Sequence, residues 1–473
     1  MRILLIYPYA SYKTMPPSSW VPLSLPYLAG LLKQAGHEVK IMDRFAAQYK
    51  LGGNQALIDK AMLQTITEFK PDLIGINAVS PLVYDLVETA GLIRQIYTGP
   101  LLAGGHHVTA LPEATLQKIP ELDAVITGEG EYSLLRFVEG AKAADIPGLW
   151  WRDNGQIRSN PAEPITDLDK LPFPDFSSLD LSYYLNRGLE TIRHHYVSTI
   201  SLLTSRGCVK KCEFCTESLT YGKGVRFHSP EYVVELLGKV YRDYGVEGIY
   251  FHDNDFLISR SRVEAICDLM IKRGLQRHLI WAIQARADHI EPEVVRRLKQ
   301  AGCVLIEMGI ESASQQTLDS MHKDSTVEIN ERAIKICQQE GMKIHAYMLT
   351  GVEGETISDL EQRLAWLKKM RVFSFSWSPL QVHPGTRLYQ RLRPGVFENM
   401  PWSREIVQDY YNNQQLSEIP PAERQAWMER NYMPYIRRRR RLNLIRSNNV
   451  ERLWDFFEMK INRNSSHREF FEG

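Results

Sequence analysis

The sequence lacks the marks of several protein classes. It has 6 cysteines in 473 residues, too few for a secreted protein held together by disulfides. No segment approaches the ~20 apolar residues of a membrane-spanning helix, and the first apolar run is too short for a signal peptide. The 57 basic and 56 acidic residues nearly cancel, so nothing points to nucleic acid as a partner. We therefore expect a cytoplasmic protein of about two or three folded units.

The first part of the chain predicts a Rossmann-like α/β domain. Residues 1–141 alternate short β-branched runs with amphipathic segments, the pattern of a parallel sheet covered by helices. No G-x-G-x-x-G follows the first run, so a nicotinamide-binding domain is not indicated. Any ligand is expected beyond the carboxyl ends of the strands. The expected strands are Ile3–Tyr7, Val39–Asp43, Leu73–Ala78, Leu101–Gly104 and Ala124–Thr127.

The remaining chain divides into three predicted segments. Residues 142–196 lose the periodicity and carry a hairpin signal, Asp153-Asn154-Gly155, which predicts a linker with a hairpin. Residues 197–390 alternate again and predict a partial (β/α)6 barrel of the TIM type, with its chemistry at the carboxyl ends of the strands. Residues 391–473 predict a small helical C-terminal segment. The expected barrel strands are Thr199–Thr204, Gly248–His252, Leu279–Ala282, Val304–Ile310, Ile344–Leu349 and Phe375–Leu380.

Three cysteines follow the first strand of the predicted barrel. Cys208, Cys212 and Cys215 offer three thiolates in one loop, whereas an iron–sulfur cubane normally takes four. One iron would therefore stay open for another ligand. A partial zinc site or three unrelated thiols are the plainer alternatives, but structural zinc normally closes its tetrahedron with a fourth Cys or His. The candidates for that fourth ligand, His194, His195 and His228, do not have the spacing of zinc-finger ligands. The other cysteines, Cys267, Cys303 and Cys337, are expected to be buried packing residues.

The pattern Cys208-x3-Cys212-x-Phe214-Cys215 resembles the radical S-adenosylmethionine (SAM) superfamily. The resemblance implies a [4Fe-4S] cluster whose open iron binds the amino and carboxylate groups of SAM. The reduced cluster would cleave SAM to a 5'-deoxyadenosyl radical, and Phe214 would pack beside the cluster and the adenine. An electron donor of the flavodoxin or ferredoxin type is implied. The basic residues Arg206, Lys210 and Lys211 either help to dock that donor or tune the cluster, or form a solvated basic loop.

Later strand ends of the barrel carry the residues that the resemblance places near SAM. A carboxylate after the second strand suits the methionine amino group, and the end of the fourth strand resembles the ribose and carboxylate contacts of relatives. The alternative for each is an ordinary polar loop residue. The expected SAM contacts are Phe214, Asp253, Asp255, Gln284, Arg286, Glu311 and Ser312.

A Rossmann-like domain before such a barrel is similar to the cobalamin-binding subfamily, which includes anaerobic magnesium-protoporphyrin ester cyclases and class B radical methyltransferases. Ser80-Pro81-Leu82 resembles the S-x-L element of the corrinoid motif, and Gly104-Gly105 resembles its paired glycines. Gly128-Glu129 is also typical of the subfamily. The resemblance therefore implies cobalamin contacts at Ser80, Leu82, Gly104, Gly105, Gly128 and Glu129.

The third element of the corrinoid motif, D-x-H-x-x-G, is not matched. It would begin at Asp43, but the chain continues Arg44-Phe45 and has no histidine there to bind cobalt. Either cobalamin binds without a protein histidine, or the domain has kept the fold and lost the cofactor. A methylthiotransferase is disfavoured because residues 1–141 contain no cysteine for its auxiliary cluster.

The resemblance implies an anaerobic radical SAM methyltransferase that uses cobalamin to methylate an unactivated carbon. An oxidative cyclisation or rearrangement with the same cofactors is the alternative, and a non-catalytic cluster-binding redox sensor is the alternative of another class. The substrate is expected to be a small molecule, such as a lipid, a tetrapyrrole or a natural-product intermediate. The sequence does not identify it.

The C-terminal tail has an excess of positive charge. From Arg437 onward it holds ten Lys or Arg against five Asp or Glu, beginning with the run Arg437 to Arg441. A solvated helix face accounts for this excess. Weak contact with a membrane surface is the alternative, suggested by the tail aromatics Trp454, Phe456, Phe457, Phe470 and Phe471.

Overall fold

The first sheet confirms the predicted α/β fold class. The computed structural model describes residues 1–9, 20–222 and 224–438. The strand order is β2-β1-β3-β4-β5-β6-β7, and the first five strands are parallel. These five lie where the sequence predicts them, to within two residues at either end. The strands are β1 (Arg2–Tyr7), β2 (Glu38–Asp43), β3 (Leu73–Asn77), β4 (Leu101–Gly104), β5 (Ala124–Ile126), β6 (Leu149–Asp153) and β7 (Gln156–Ser159).

Helices cover this sheet and explain its apolar strands. Ile3, Leu4, Leu5 and Ile6 of β1 are all buried, because a parallel sheet with helices on both faces leaves no solvent-facing side. The helices are α1 (Ser24–Gln34), α2 (Arg44–Lys50), α3 (Gln55–Phe69), α4 (Val83–Arg94), α5 (His106–Ala110), α6 (Pro112–Lys118) and α7 (Glu131–Val138).

The predicted hairpin is confirmed, and it extends the first sheet. Strands β6 and β7 pair antiparallel around Asn154 and Gly155, whose φ values are 49° and 82°. Two successive positive φ values are the requirement of a type I′ turn. Strand β6 also pairs antiparallel with β5, so the sheet continues past residue 141 to Ser159.

The second sheet has the six parallel strands of a partial barrel, in the order β15-β14-β13-β12-β11-β8. A two-stranded antiparallel ribbon, β9 with β10, lies beside it and was not predicted. The strands are β8 (Thr199–Leu202), β9 (Ser205–Cys208), β10 (Gly224–Phe227), β11 (Gly248–Phe251), β12 (Ile280–Ala285), β13 (Cys303–Glu311), β14 (Lys343–Thr350) and β15 (Ser374–Pro379).

Amphipathic helices cover the outside of the barrel. Trp281 of β12 is fully buried there against Phe251 and Phe256. Three cysteines also lie in this core, with 0% of Cys267, 4% of Cys303 and 0% of Cys337 exposed. The helices are α8 (Glu217–Tyr221), α9 (Pro230–Tyr244), α10 (Arg260–Lys272), α11 (Pro292–Gln300), α12 (Gln315–Ser320), α13 (Val327–Gln339), α14 (Ile357–Met370) and α15 (Arg387–Leu392).

The segment before β8 closes the amino-terminal end of the barrel. Ile192 packs with Tyr250 and Leu305 of the barrel interior. A Cβ on Gly248, the first residue of β11, would lie 3.2 Å from the Cδ1 atom of Ile192. Next to it, Arg193 Nε donates to Glu307 Oε1 at 3.1 Å. This end of the barrel is therefore filled by side chains.

The C-terminal segment returns to the first domain. Its helices are α16 (Val396–Asn399), α17 (Arg404–Asn412) and α18 (Pro421–Trp427). Helix α17 lies against α4, and Arg404 Nη2 is 2.7 Å from Glu88 Oε2. Most of the basic run, Arg439 to Arg441, and the five tail aromatics lie outside the described residues. Within the described ranges, every helix is too short or too polar to cross a bilayer.

Candidate functional site

The three cysteines of the motif lie in one loop at the carboxyl end of the first barrel strand. Cys208 ends β9, and Cys212 and Cys215 follow before α8. All three thiols are partly exposed, and the Lys210 N–H donates to Cys208 Sγ at 3.5 Å. Gly207 has φ of 95°, and a Cβ there would lie 2.2 Å from the Gly224 carbonyl oxygen. Only a residue without a side chain lets the ribbon close here.

This ligand set fits an iron–sulfur cluster better than a single zinc ion. Zinc needs all its thiolates at about 2.3 Å from one point. In the ranges that the structure describes, no three His, Cys, Asp or Glu side chains converge in that way. A cubane binds each thiolate to a different iron, so its ligands stand farther apart. Three half-exposed thiols on one loop leave a fourth iron open.

Glu311 and Ser312 lie at the end of β13 in an irregular backbone. Glu311 has φ of 61° and stands at a shift in the β13–β14 register. A positive φ in a non-glycine residue is uncommon, and such residues cluster at functional sites. The Glu311 carboxylate is 2.8 Å from Lys323 Nζ. Ser312 is fully buried, and its hydroxyl accepts from the Ser314 N–H at 3.1 Å.

Asp253 holds the strand that leads into the cluster loop. Its carboxylate accepts from the Thr204 N–H at 3.1 Å, from the Thr204 hydroxyl at 2.7 Å and from the Ser205 hydroxyl. Burial raises the pKa of Asp253, and Arg262 acts in the opposite direction. Both carboxylate oxygens already have partners within the protein.

Asp255 and Arg286 also make their polar contacts within the protein. Asp255 accepts from the Arg286 N–H at 3.3 Å and lies 2.6 Å from His289 Nδ1. The Arg286 guanidinium contacts Asp288 and two backbone carbonyls, those of Lys323 and Asp324. These contacts fix the loops after β11 and β12 around the cluster loop.

Gln284 and Phe214 mark two sides of the space around the cluster loop. Gln284 Nε2 donates to the Tyr250 hydroxyl at 3.1 Å inside the barrel. Phe214 lines a narrow cleft that opens to solvent. The other apolar side chains of the cleft, which the sequence did not single out, are Met321, Val352, Leu380, Leu388, Leu392 and Leu416.

The S-x-L serine and the paired glycines meet at the carboxyl edge of the first sheet. Ser80 is buried, and its hydroxyl is 3.1 Å from His107 Nδ1. Leu82 is buried one turn later. Gly104 ends β4, and Gly105 has φ of 111°, where a Cβ would lie 2.7 Å from the Ala78 carbonyl oxygen. The missing side chain of Gly105 therefore lets its backbone approach the end of β3 closely.

His107 adds an unsatisfied polar atom to this edge. Its ring is fully buried, burial lowers its pKa to about 3, and Nε2 has no hydrogen-bond partner in the described ranges. A buried, neutral imidazole with a free nitrogen suits a polar ligand. The edge of β3 and β4 therefore fits the tail of a corrinoid.

The structure shows what takes the place of the motif histidine after Asp43. The Asp43 carboxylate accepts from the Ala46 N–H at 2.9 Å and begins α2 at once, so the chain is helical where the corrinoid motif has its histidine. Phe45 is buried and contacts the Tyr49 and Tyr183 rings. The glycine of the motif would be Gln48, which is also buried. These residues offer no imidazole to a cobalt ion at this position of the motif.

Glu129 joins the two domains. Its oxygens accept from Arg206 at 2.7 Å, from Arg226 at 2.6 Å and from the Ile165 N–H at 3.0 Å. Arg206 also pairs with Glu131 at 2.6 Å. Arg206 belongs to β9, which ends in Cys208, so this buried ion-pair network ties the cluster ribbon to the first domain.

Gly128 precedes Glu129 in a tight turn. It has φ of 73°, and a Cβ there would lie 3.0 Å from the Cβ atom of Ala162. A positive φ with a close neighbour favours glycine at this position. The turn directs the following glutamates toward the barrel.

Helix α5 brings the two strand edges together. It begins directly after Gly105 and packs against α8, which follows Cys215. His106 Nδ1 is 2.8 Å from the Thr220 hydroxyl across this contact. The cluster loop and the glycine edge of the first sheet therefore face one another. The candidate residues of both domains thus flank one helix contact.

Comparison with known proteins agrees with this division. The radical SAM superfamily pattern matches residues 202–367, and the B12 binding domain pattern matches residues 14–138. An uncharacterized methyltransferase of Pyrococcus horikoshii is 29% identical over 434 residues, which cover 89% of this chain and 90% of that protein. The anaerobic magnesium-protoporphyrin IX monomethyl ester cyclase of Cereibacter sphaeroides is 28% identical over 414 residues, 84% of this chain and 64% of the cyclase.

A solved structure shares the fold. The radical SAM methyltransferase TsrM from Kitasatospora setae was solved with cobalamin and a [4Fe-4S] cluster. It superposes on this chain with a TM-score of 0.67 and 19% sequence identity, and the match covers 83% of this chain and 77% of the TsrM chain. The two matched patterns, on the two domains described above, decide the family. The chain belongs to the cobalamin-binding enzymes of the radical SAM superfamily, whose cofactors are a [4Fe-4S] cluster, SAM and cobalamin.

Proposed function

We propose that this enzyme is a radical methyltransferase that methylates an unactivated carbon of a small molecule. The observation that carries the proposal is the contact of α5 with α8. It sets the glycine edge of the first sheet beside the cluster loop. A methyl group carried by a corrinoid at one edge and a radical generated at the other would then reach the same substrate. Cluster and cobalamin in separate, distant sites would not allow this.

The proposal assigns roles by domain. The cluster and SAM supply the 5'-deoxyadenosyl radical, and cobalamin supplies the methyl group. The chain binds the cluster through Cys208, Cys212 and Cys215, and Phe214 packs beside the cluster and the adenine of SAM. Glu311 and Ser312 at the end of β13, with Gln284, border the same space. The corrinoid contacts are Ser80, Leu82, Gly104, Gly105 and Gly128.

Three of the expected SAM residues, and Glu129 among the expected cobalamin residues, receive a supporting role. Asp253, Asp255 and Arg286 already use their charged groups to fix loops, and Glu129 is paired with two arginines. In the proposal they position the loops that surround the cofactors. A buried charge that is already paired gains little from a further partner and loses much when its partner leaves.

Coverage alone does not separate methylation from cyclisation, since the chain spans 68% of a methyltransferase and 72% of a cyclase of the same Synechocystis strain. The chain spans 90% of the Pyrococcus methyltransferase and 64% of the Cereibacter cyclase. More than a third of that cyclase therefore has no counterpart here. Cyclisation or rearrangement with the same cofactors is the competing function.

The setting of the enzyme follows from the cluster. Free cysteines and an iron–sulfur cluster open to solvent need a reducing, oxygen-poor compartment, so we propose an anaerobic function in the cytoplasm. The substrate class stays open among lipids, tetrapyrroles and natural-product intermediates, and a flavodoxin or ferredoxin donates the electron. We place the domain limits at residues 1–141, 142–196, 197–390 and 391–473.

A substrate-free assay separates the two functions. The full-length protein is reconstituted anaerobically with iron, sulfide and cobalamin, reduced with titanium(III) citrate and given SAM. We expect S-adenosylhomocysteine in an amount that matches the bound corrinoid, because a methyltransferase loads its corrinoid before the substrate arrives. Liquid chromatography with mass spectrometry measures S-adenosylhomocysteine and 5'-deoxyadenosine in the same sample.

Two other outcomes count against the proposal. Formation of 5'-deoxyadenosine without S-adenosylhomocysteine would favour cyclisation or rearrangement. Formation of neither product by protein that holds both metals would favour a sensing role. A sample reconstituted without cobalamin is the control, and it should yield no S-adenosylhomocysteine.

A further inference from the structure

A short turn after α12 lies against the cluster loop. The Glu213 N–H donates to the Met321 carbonyl at 3.3 Å, and His322 Nδ1 is 3.3 Å from Glu213 Oε1. On the other side, Lys210 forms an ion pair with Asp324. Residues 321–324 therefore contact the loop on both sides of Cys212. No sequence motif singled out this turn.

The backbone of the turn is strained. His322 has φ of 50° and Asp324 has φ of 55°, values that are uncommon for a residue with a side chain. The Arg286 guanidinium donates to the carbonyls of Lys323 at 3.3 Å and Asp324 at 2.9 Å. These two hydrogen bonds from Arg286 stabilise the turn. The effect of the turn is to direct the side chain between the two strained residues inward.

That side chain is Lys323. Its side chain is 11% exposed, and Nζ lies 2.8 Å from the Glu311 carboxylate. Gly309 leaves the space for this pair, since a Cβ there would lie 2.5 Å from Glu311 Oε1 and 2.9 Å from Lys323 Nζ. Burial alone would lower the pKa of Lys323, but the Glu311 carboxylate beside it acts in the opposite direction. Lys323 is therefore a buried cation in the turn that contacts the cluster loop on both sides of Cys212.

We propose that Lys323 is a positioning residue for the cluster, which stabilises the reduced state through its buried positive charge. The inference rests on the proposed function, because it needs the cluster at Cys208, Cys212 and Cys215. Reduction adds one electron, delivered by a flavodoxin- or ferredoxin-type donor, and no bond forms or breaks. The added negative charge is attracted by a nearby ammonium, most strongly where water is excluded.

Glu311 acts in the opposite direction. Its carboxylate lies in the same buried pair and opposes a further negative charge on the cluster. Lys211, next to Cys212 in the chain, is exposed, so water and salt screen its charge. The structure thus offers a buried cation, a buried anion and an exposed cation near one cluster. Their effects on the reduction potential should differ in sign and size.

A redox titration tests this assignment. The full-length protein is reconstituted with the cluster, without SAM, and titrated anaerobically while the reduced cluster is followed by electron paramagnetic resonance. In Lys323→Gln we expect reduction to be about tenfold less favourable, a fall of about 59 mV for one electron. In Glu311→Gln we expect a rise. Lys323→Arg keeps the charge and should stay near the wild type, as should the control Lys211→Gln.

The opposite signs distinguish charge from structural damage. A Lys323→Gln potential equal to that of the wild type, or a shift of Lys323→Gln and Glu311→Gln in the same direction, would overturn the inference. The double variant Lys323→Gln/Glu311→Gln removes both charges and avoids an unpaired buried ion, so it serves if a single variant fails to fold. Its potential should lie between those of the single variants. Wild-type protein that assembles no cluster would overturn the proposed function instead.

Discussion

The Cys212→Ala variant is expected to lose the [4Fe-4S] cluster and all cleavage of SAM. Cys212 is the middle thiol of the loop, and its removal leaves two protein ligands for a cubane that normally takes four. Iron and sulfide analysis after anaerobic reconstitution measures the first loss. Mass spectrometry of 5'-deoxyadenosine after reduction with titanium(III) citrate measures the second.

The matched control is Cys337→Ala. Cys337 is fully buried in α13 and belongs to the apolar core, so its loss should lower the free energy of unfolding by about 1 kcal/mol. Cluster content and 5'-deoxyadenosine formation should match the wild type. A Cys212→Ala protein that retains a full cluster would show that the ligand assignment is wrong.

The Arg206→Ala variant should lower the free energy of unfolding by about 3 kcal/mol. Arg206 is 5% exposed and pairs with Glu129 and Glu131, which are 1% and 7% exposed. Glu129 keeps Arg226, but Glu131 loses the cation that pairs with it and stays buried. Urea unfolding of the cofactor-free protein measures this cost. The variant should also retain less cobalamin on gel filtration, because the ribbon no longer holds the first domain.

An exposed ion pair provides the control. Arg158 and Asp153 in the hairpin are 56% and 41% exposed, so Arg158→Ala should change the free energy of unfolding by less than about 1 kcal/mol. Cobalamin retention should be unchanged. Equal losses in the two variants would mean that the Arg206 network is no stronger than a surface contact.

The sequence predicts the sheets well because burial determines their pattern. In β1 four consecutive residues are apolar, and in β13 six of nine are. Such runs are visible in the sequence alone. The β9–β10 ribbon gives no such signal. Its strands, Ser205–Cys208 and Gly224–Phe227, are short and contain arginine and glycine. They pair antiparallel because the chain reverses direction between them, after the cluster loop. A short sequence pattern does not predict this reversal.

Part of the candidate site could likewise be predicted from the sequence, and part could not. The cysteine spacing and the paired glycines are local and visible in the chain. The partners of Glu129 are not, because Arg206 and Arg226 are distant in sequence and meet it only in the folded protein. The buried position of Lys323 could not be predicted for another reason. Its side chain points inward because the residues on both sides have positive φ, and the residue types alone do not predict those φ values.

The closed end of the barrel has a kinetic consequence. Because Ile192 and the Arg193–Glu307 pair fill that end, molecules have to reach the interior from the side of the cluster loop. SAM, the substrate and their products then share one opening. We therefore expect a spent adenosine to leave before a fresh SAM enters, and a substrate that binds after SAM to hold SAM in place. Ordered binding, with SAM before the substrate, is the pattern we expect in initial-rate kinetics.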